Sequence, residues 1–428
     1  MKKYIINTLI LILTTIVSYS CIDMMEEVKD VETVELITVS YKVSAATGFI
    51  EKGANIVANP NFSTQGVEVT FTNIKTSQVI KGKTDQDCIV TVELDPGVYS
   101  IGVDGTANYE GYDYFINSNI ASVSLFKNIE RSQAETDPKY GIVVRPAKVG
   151  ALCISEIYYC GIAPYYFRDQ TYQIYNNGKE TFYLDGVCFA QMHPNIAFAS
   201  STPPIWPDED GVDNFAYALT VWQFPGNGSD YPLQPGESVI IVQEARDHTQ
   251  NNPKSYDNSK VEWECNTGNV TRDNPDIPNM PNIFETSHNS FQWLSSVFGG
   301  AFCIFKPTDG IVVNAEYYSK DGPNVQNEVN KTSKYAKIPA DWILDGVELL
   351  GSMDLLSKKR IPGFIDAGAS SVNETYCGKS VSRKVISTNS DNTPVLMDTN
   401  NSTNDFQVND SPKLRRNGEK VPSWSPSK

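Results

Sequence analysis

Few groups in this chain have the residue types and spacing that catalysis requires. Three histidines, His193, His248 and His288, lie in polar stretches. His248 is the most suggestive, because the nearby Asp247 or Glu244 would be placed to orient its ring. The chain has no His-Glu-x-x-His zinc motif, no Gly-x-Ser-x-Gly nucleophile turn and no phosphate-binding loop. We therefore predict that the protein is not an enzyme, and a hydrolase with an unrecognised carboxylate site is kept as an alternative.

One acidic stretch offers the hard oxygen ligands that calcium prefers. Asp208, Asp210 and Asp213 are spaced around Gly211. The stretch lacks the spacing of an EF-hand loop and its distal bidentate glutamate. We expect an exposed acidic turn and no cofactor, with a calcium loop as the other interpretation.

The first cysteine is placed for lipid attachment. Two lysines precede an apolar run, Ile5–Val17, which is shorter than the roughly 20 residues of a membrane-spanning helix. Cys21 follows directly after Ser20, as in a bacterial lipobox. Diacylglycerol on the Cys21 thiol would anchor the chain in outer-membrane lipid. We predict a signal peptide at 1–20 and a tether at 21–32.

The other cysteines give no metal-binding pattern. Their number is odd and no Cys-x-x-Cys occurs, so zinc is not expected. Disulfides are allowed in an exported protein, yet most of these residues sit in apolar runs. We expect mostly free, buried thiols at Cys88, Cys153, Cys160, Cys188, Cys265, Cys303 and Cys377.

Composition favours a β-rich protein that avoids nucleic acid. The 428 residues include 22 Tyr, 18 Phe and 6 Trp, enough to build a sizeable core. The net charge of −16 repels phosphate backbones, so nucleic acid is excluded as a partner. We predict an all-β protein with two immunoglobulin-like β-sandwiches in tandem, the second with long loop insertions and one short helix.

The first predicted domain covers 33–147. Val67, Val69 and Phe71 alternate with polar residues, as in a half-buried strand. The pattern continues through a Pro96-Gly97 turn and resembles the carboxypeptidase-regulatory, transthyretin-like module, although Cys88 replaces a glycine usual in that family. Such modules act as spacers or docking domains.

The second predicted domain covers 150–416. Asn177-Gly178 and Asp185-Gly186 are hairpin turns between alternating runs. With the Leu233–Val242 element and a closing segment around Arg383, this domain resembles the lamin-tail fold. We expect insertions at 193–231 and 247–290, a hairpin across 301–317, a helix over 339–352 and a loose tail at 417–428.

Aromatic residues in the two insertions suggest a contact surface. Flat rings offer a large contact area for little lost entropy, so they are typical of binding faces. The alternative is that they fold back as a small satellite core. The candidate ligand or partner face consists of Trp206, Tyr217, Trp222, Phe224, His248 and Trp263.

The order of lipobox, transthyretin-like module and interrupted lamin-tail domain resembles the Bacteroides-type DUF4876 lipoprotein family. That resemblance implies that the protein accompanies a TonB-dependent outer-membrane receptor. We predict an outward-facing, lipid-anchored binding or accessory subunit of such an uptake system. The alternatives are a surface adhesin or carbohydrate-binding module, and thirdly the hydrolase.

Overall fold

The computed structural model describes residues 35–47, 57–207, 214–266, 268–286 and 293–427. The predicted signal peptide, Cys21 and the tether lie outside the described residues. No helix in the described part of the chain is long and apolar enough to cross a membrane. The described secondary-structure elements are mostly strands, with only short helices, which confirms the all-β prediction.

The described elements of the first part of the chain are β1 Ile37–Ala45, β2 Glu68–Asn73, β3 Val79–Lys83, β4 Ile89–Leu94, β5 Gly97–Tyr109, β6 Tyr112–Leu125, helix α1 Arg131–Thr136, a 3₁₀ turn Pro138–Tyr140, β7 Gly141–Val144 and β8 Ala147–Lys148. The strands form two sheets, with strand orders β4-β1-β7 and β3-β2-β5-β6-β8. The alternation in β2 buries Val69 and Phe71, and the Phe71 ring meets Tyr41 of the other sheet at 6.2 Å. Cys88 adopts the left-handed conformation (φ +61°) that favours glycine.

The described strands of the second part of the chain are β9 Leu152–Tyr158, β10 Thr171–Asn176, β11 Phe182–Tyr183, β12 Cys188–Met192, β13 Phe215–Gln223, β14 Pro232–Leu233, β15 Ser238–Val242, β16 Trp263–Glu264, β17 Asn282–Glu285, β18 Ala301–Phe305, β19 Val325–Gln326, β20 Tyr335–Pro339, β21 Ile343–Glu348, β22 Ser380–Arg383, β23 Val385–Thr388, β24 Pro394–Leu396 and β25 Phe406–Asn409. They form two larger sheets, with strand orders β16-β15-β10-β9-β22-β25 and β19-β20-β13-β12-β18-β21, and β17 also pairs with β13. The described helical turns are His248–Gln250, Ala340–Trp342, Met353–Lys358 and helix α2 Ser402–Asp405.

Aromatic rings fill the space between these two sheets. Tyr172 of β10 contacts Phe302 of β18 at 4.8 Å and Phe189 of β12 at 5.1 Å between ring centroids. All three side chains are fully buried. The pairs join opposite sheets, so they form the centre of a β-sandwich.

The helix predicted over 339–352 is wrong. Apart from the short turn Ala340–Trp342, this segment is β21, which pairs antiparallel with β18. Asp345, Gly346, Val347 and Glu348 are all buried, so both faces of the strand are covered. The spacing of Ile343, Leu344, Val347 and Leu350 fits a helix, but in so short a segment periodicity alone does not separate a helix from a fully buried strand.

The predicted insertions contribute strands to the sheets, so they are not simple loops. β13, within 193–231, lies between β12 and β20, and its backbone hydrogen bonds place it inside the sheet. β16 and β17, within 247–290, extend one sheet each. The hairpin expected across 301–317 is also wrong, because β18 pairs with β12 and β21 instead.

The C-terminal tail is docked, in contrast to the prediction of a loose segment. Arg416 pairs with Glu156 of β9 at 2.9 Å. The Trp424 indole donates a hydrogen bond to the Pro232 carbonyl at 2.7 Å, and Ser425 is buried. These contacts involve buried partners that the sequence alone does not place beside the tail.

A buried cluster around Arg383 joins the two sheets of the second sandwich. Arg383 of β22 makes a bidentate pair with Asp345 of β21, at 2.9 and 2.8 Å. Asp345 also accepts a hydrogen bond from the Ile154 amide of β9 at 2.7 Å. Asp398 and Asp405 each approach the same guanidinium at 3.1 Å. One cation therefore holds both sheets and the loop before β25.

Replacing Arg383 by methionine is expected to lower the free energy of unfolding by about 3–5 kcal/mol, because three buried carboxyls lose their cation. Urea denaturation checks this. Arg131→Met is the matched control, since Arg131 also pairs with two aspartates, Asp85 and Asp87, but on the surface. A similar loss in both variants would contradict a special role for the buried cluster.

The buried Glu264 is expected to make stability depend on pH near neutrality. Burial raises the pKa of Glu264 to about 7. The folded state therefore holds a proton that the unfolded chain has already released, and the stability this proton gives is lost as pH rises through 7. His193 and His248, whose pKa values are lowered by burial, act in the opposite direction as the unfolded chain releases its protons around pH 6.5.

Comparison with Glu264→Gln isolates this group, because the other titrating groups are the same in both proteins. Between pH 6.5 and pH 8 the unaltered protein should lose about 1 kcal/mol of stability relative to the variant, measured by urea denaturation at both pH values. An equal pH dependence in the two proteins would show that Glu264 is ionised throughout this interval.

Candidate functional site

Three of the predicted face residues lie in the core instead. Trp222, Phe224 and Trp263 have at most 1% of their surface exposed and pack in the hydrophobic core of the second sandwich. Trp222 belongs to β13 and Trp263 to β16, so backbone pairing carries their rings inward. The prediction of a contact face is therefore wrong for these three residues.

His248 is also buried, inside a hydrogen-bond network. Its Nδ1 lies 2.7 Å from the Tyr166 hydroxyl, and its Nε2 lies 3.0 Å from the Glu244 carbonyl oxygen. The Nε2–H therefore donates to the carbonyl, and Nδ1 accepts from Tyr166. Burial lowers the pKa of His248 to about 4, which keeps the ring neutral at pH 7. The residue serves to fix the 244–248 turn.

Near His248, three guanidiniums surround one buried carboxylate. Arg272 and Arg168 reach Glu244 Oε1 at 2.6 and 3.1 Å, and Arg246 lies 3.7 Å from Oε2. The Glu244 side chain is 2% exposed, whereas each arginine is about one-third exposed. The cluster lines a small cavity of about 250 Å³ that is locally positive in an acidic protein.

Trp206 and Tyr217 form the centre of a pocket that we call the aromatic pocket. Their rings stack at 3.5 Å between centroids, with an angle of 11° between the planes. The pocket has a volume of about 450 Å³. Its walls include Met192, His193, Pro194, Ile205, Phe215, Lys358, Lys359 and Arg360. The structure thus brings two of the six predicted face residues together in one concave surface.

His193 supplies a hydrogen-bonding group to the wall of this pocket. Its Nε2 lies 3.0 Å from Glu328 Oε1, and its ring lies 3.8 Å from that of Tyr335. Burial lowers the pKa of His193, although Glu328 opposes the shift. The neutral ring then donates from Nε2 to Glu328, which leaves Nδ1 as an acceptor. Nδ1 is buried and has no partner among the described residues.

The basic wall of the aromatic pocket is held by buried contacts. Arg360 pairs with Glu348 at 2.6 Å, and both side chains are at most 1% exposed. Arg360 also donates to the Asn195 carbonyl at 3.0 Å. Lys358 donates to the Ser201 carbonyl at 2.8 Å. The cations therefore fix the 194–201 segment against the 358–362 segment and shape the pocket.

A larger cavity of about 640 Å³ lies between the two sandwiches. Tyr109 and Tyr114 line it from the first sandwich, and Trp342 and Phe364 from the second. The Arg145 guanidinium sits 4.9 Å from the centre of the Phe364 ring. Asn117 of β6 donates to the Thr399 carbonyl at 2.9 Å and ties the two domains beside this cleft.

These groups are suited to binding. The predicted calcium ligands Asp208, Asp210 and Asp213 lie outside the described residues. Within the described ranges, no three His, Cys, Asp or Glu side chains are grouped to hold a metal ion. The aromatic pocket is lined by aromatic rings, the His193 imidazole and basic side chains.

Sequence reasoning missed the contacts that hold His193 in the pocket wall. Its partner Glu328 lies 135 positions further along the chain, and Tyr335 of β20 packs against its ring. No short-range pattern links such distant residues. The run Lys358-Lys359-Arg360 was the one available signal, because three adjacent cations stand out in an acidic chain.

Together, the fold and the pocket define an all-β protein of two sandwiches with a binding pocket on the second. A family model described as "Protein of unknown function (DUF4876)" matches residues 234–413. The crystal structure of a DUF4876 family protein from Bacteroides thetaiotaomicron VPI-5482 is 35% identical, and the match covers 92% of this chain and 100% of that one with a TM-score of 0.60. This chain belongs to the DUF4876 family.

Other solved structures resemble the chain only weakly. A DUF3823 family protein from Parabacteroides merdae ATCC 43184 is 7% identical, with a TM-score of 0.16 over 48% of this chain and 80% of that chain. A shaft pilin, SpaA from Lactobacillus rhamnosus GG, is 10% identical, with a TM-score of 0.19 over 72% of this chain and 97% of that chain. These TM-scores are too low for either similarity to support a statement about the fold or function of this chain. No curated protein matches the chain.

Substitutions of two tryptophans test whether Trp222 is a core residue and Trp206 a pocket residue. Trp222→Ala is expected to lower the free energy of unfolding by about 3–5 kcal/mol, because a fully buried ring leaves a cavity. Trp206→Ala should lower it by only about 1 kcal/mol, the value of one ring pair. Denaturation curves of the two variants measure the difference. Equal losses would mean that Trp206 is a core residue and that the pocket is not preformed.

Proposed function

We propose that this protein is a lipid-anchored, outward-facing ligand-binding subunit of a TonB-dependent uptake system in the outer membrane. The observation that carries the proposal is the aromatic pocket, in which the stacked Trp206 and Tyr217 lie beside His193. Its volume of about 450 Å³ falls within the range of small-molecule sites. The anchor rests on Cys21 and its flanking residues, and the uptake system rests on the family resemblance.

The chemistry of the pocket limits what it would bind. A half-buried indole stacked on a tyrosine favours the flat or apolar face of a ring. Lys358 lines the same pocket, and its ammonium group donates hydrogen bonds to oxygen atoms. A small ring compound that carries hydroxyl groups, such as a sugar unit, fits both the aromatic rings and this donor.

The same observation favours a second candidate, a surface adhesin or carbohydrate-binding module with no transporter. Sugar rings stack on aromatic side chains in such modules, so the pocket alone does not separate the two functions. The difference lies in the partner, because an uptake subunit must hold a membrane receptor and an adhesin need not.

The partner is tested with the tagged full-length protein, extracted in mild detergent from native outer membranes. We expect a TonB-dependent receptor to co-purify in a stoichiometric amount, as identified by mass spectrometry. Another tagged lipoprotein of the same membrane is the control for receptors that adhere to any lipoprotein. Trp206→Ala should keep the receptor, because the pocket is proposed to hold the ligand.

Isolation of the protein alone would contradict the uptake role. In that case a glycan array decides the second candidate. Binding that is lost in Trp206→Ala and kept in Tyr183→Ala would support a carbohydrate-binding module, because Tyr183 is an exposed aromatic residue that does not line the pocket. Glycan binding that is kept in both variants would show that the aromatic pocket is not the glycan-binding site.

A further inference from the structure

Two of the cysteines lie side by side at the end of the second sandwich. The sulfur atoms of Cys160 and Cys377 are 3.4 Å apart, although 217 positions separate them in the chain. Cys160 follows β9 and Cys377 precedes β22, the strand that pairs with β9. We propose that Cys160 and Cys377 form a disulfide bond in the exported protein, which locks these two segments together.

The backbone already holds both residues in position. The Tyr376 amide donates to the Cys160 carbonyl at 2.6 Å, and the Gly378 amide donates to the Gly161 carbonyl at 2.9 Å. Ile162 and Cys377 also form an antiparallel bridge. The two sulfur atoms are thus held 3.4 Å apart, and a disulfide requires them to approach to about 2.05 Å.

The environment distinguishes this pair from the other described thiols. Cys153, Cys188, Cys265 and Cys303 are fully buried, where an oxidant has no access. Cys88 is partly exposed, but the sulfur contacts it makes are with Ser63 and Thr64. Cys377 is partly exposed and touches Cys160, so it alone among these combines access with a partner. For Cys88, Cys153, Cys188, Cys265 and Cys303 we still expect free thiols.

The oxidation takes two steps and needs an external disulfide, such as that of a thiol–disulfide oxidoreductase. The partly exposed Cys377 thiolate attacks one sulfur of that disulfide and forms a mixed disulfide, releasing one oxidoreductase thiolate. Cys160 then attacks the Cys377 sulfur and expels the second thiolate. The two cysteine protons pass to the released thiolates, so the oxidoreductase leaves as a dithiol that carries both electrons.

The bond would fix an exposed aromatic edge of the sandwich. The 161–170 segment, which begins at this cysteine pair, carries Tyr165, which is 77% exposed and lies 5.2 Å from the Tyr376 ring. Phe167 approaches the same ring at 6.4 Å. Both contacts join the segments that the disulfide would link, so oxidation would hold these rings together against local opening.

The test uses the full-length protein purified from native membranes without reductant. Free thiols are alkylated under denaturing conditions, and the digest is examined by mass spectrometry. We expect a linked peptide pair that contains Cys160 and Cys377, with Cys88, Cys153, Cys188, Cys265 and Cys303 alkylated. Recovery of both Cys160 and Cys377 in alkylated form, or linked to other cysteines, would overturn the proposal.

Thermal unfolding gives a second readout on the same protein. Dithiothreitol should lower the Tm by about 5–10 °C, because a long closed loop restricts the unfolded chain. The shift should disappear in Cys377→Ser and persist in Cys88→Ser, the matched control at a partly exposed single thiol. A shift of the same size in Cys377→Ser would place the responsible disulfide elsewhere. The peptide result stands by itself if that variant fails to fold.

Discussion

The ion pair between Arg383 and Asp345 is the contact on which the second sandwich depends. It lies between the two sheets, where a charge without its partner would be strongly destabilising. Asp398 and Asp405 bring the closing segment to the same guanidinium, so β25 and its preceding loop are fixed by that one residue. The closing segment around Arg383, which is part of the lamin-tail resemblance, is therefore held by this contact.

Other buried carboxylates extend the same principle through the long loops. Asp366 accepts hydrogen bonds from the Glu348 and Ser402 amides, and Asp185 accepts from three amides of the 228–231 turn. Irregular segments leave backbone groups without strand partners, and carboxylate oxygens satisfy several of them at once. Glu348 does this at the aromatic pocket, where it holds Arg360 and the 360–361 amides.

The pocket is thus a consequence of how the loops are tied down. Trp206 and Tyr217 stack at the edge of the sheet that contains β13, and the segment opposite is fixed by the Arg360–Glu348 pair. A rigid wall of this kind lowers the entropy lost on binding, which suits a binding protein. Cys160 and Cys377 lie at a different part of the sandwich, so the proposed disulfide and the pocket are separate features.

The sequence by itself determined the β-rich class, the β2 alternation and the family, because these depend on short-range patterns and composition. The hairpins expected at Asn177-Gly178 and Asp185-Gly186 are wrong, because β10 pairs with β9 and β15 and β11 pairs with β14. Tertiary structure decided the rest. The segment 343–348 became a strand because β18 offered backbone partners, and Trp222 moved to the core because β13 lies inside a sheet. His193 met Glu328, and Cys160 met Cys377, across 135 and 217 positions. Such long-range pairs follow from sheet topology, which no local pattern in a single sequence encodes.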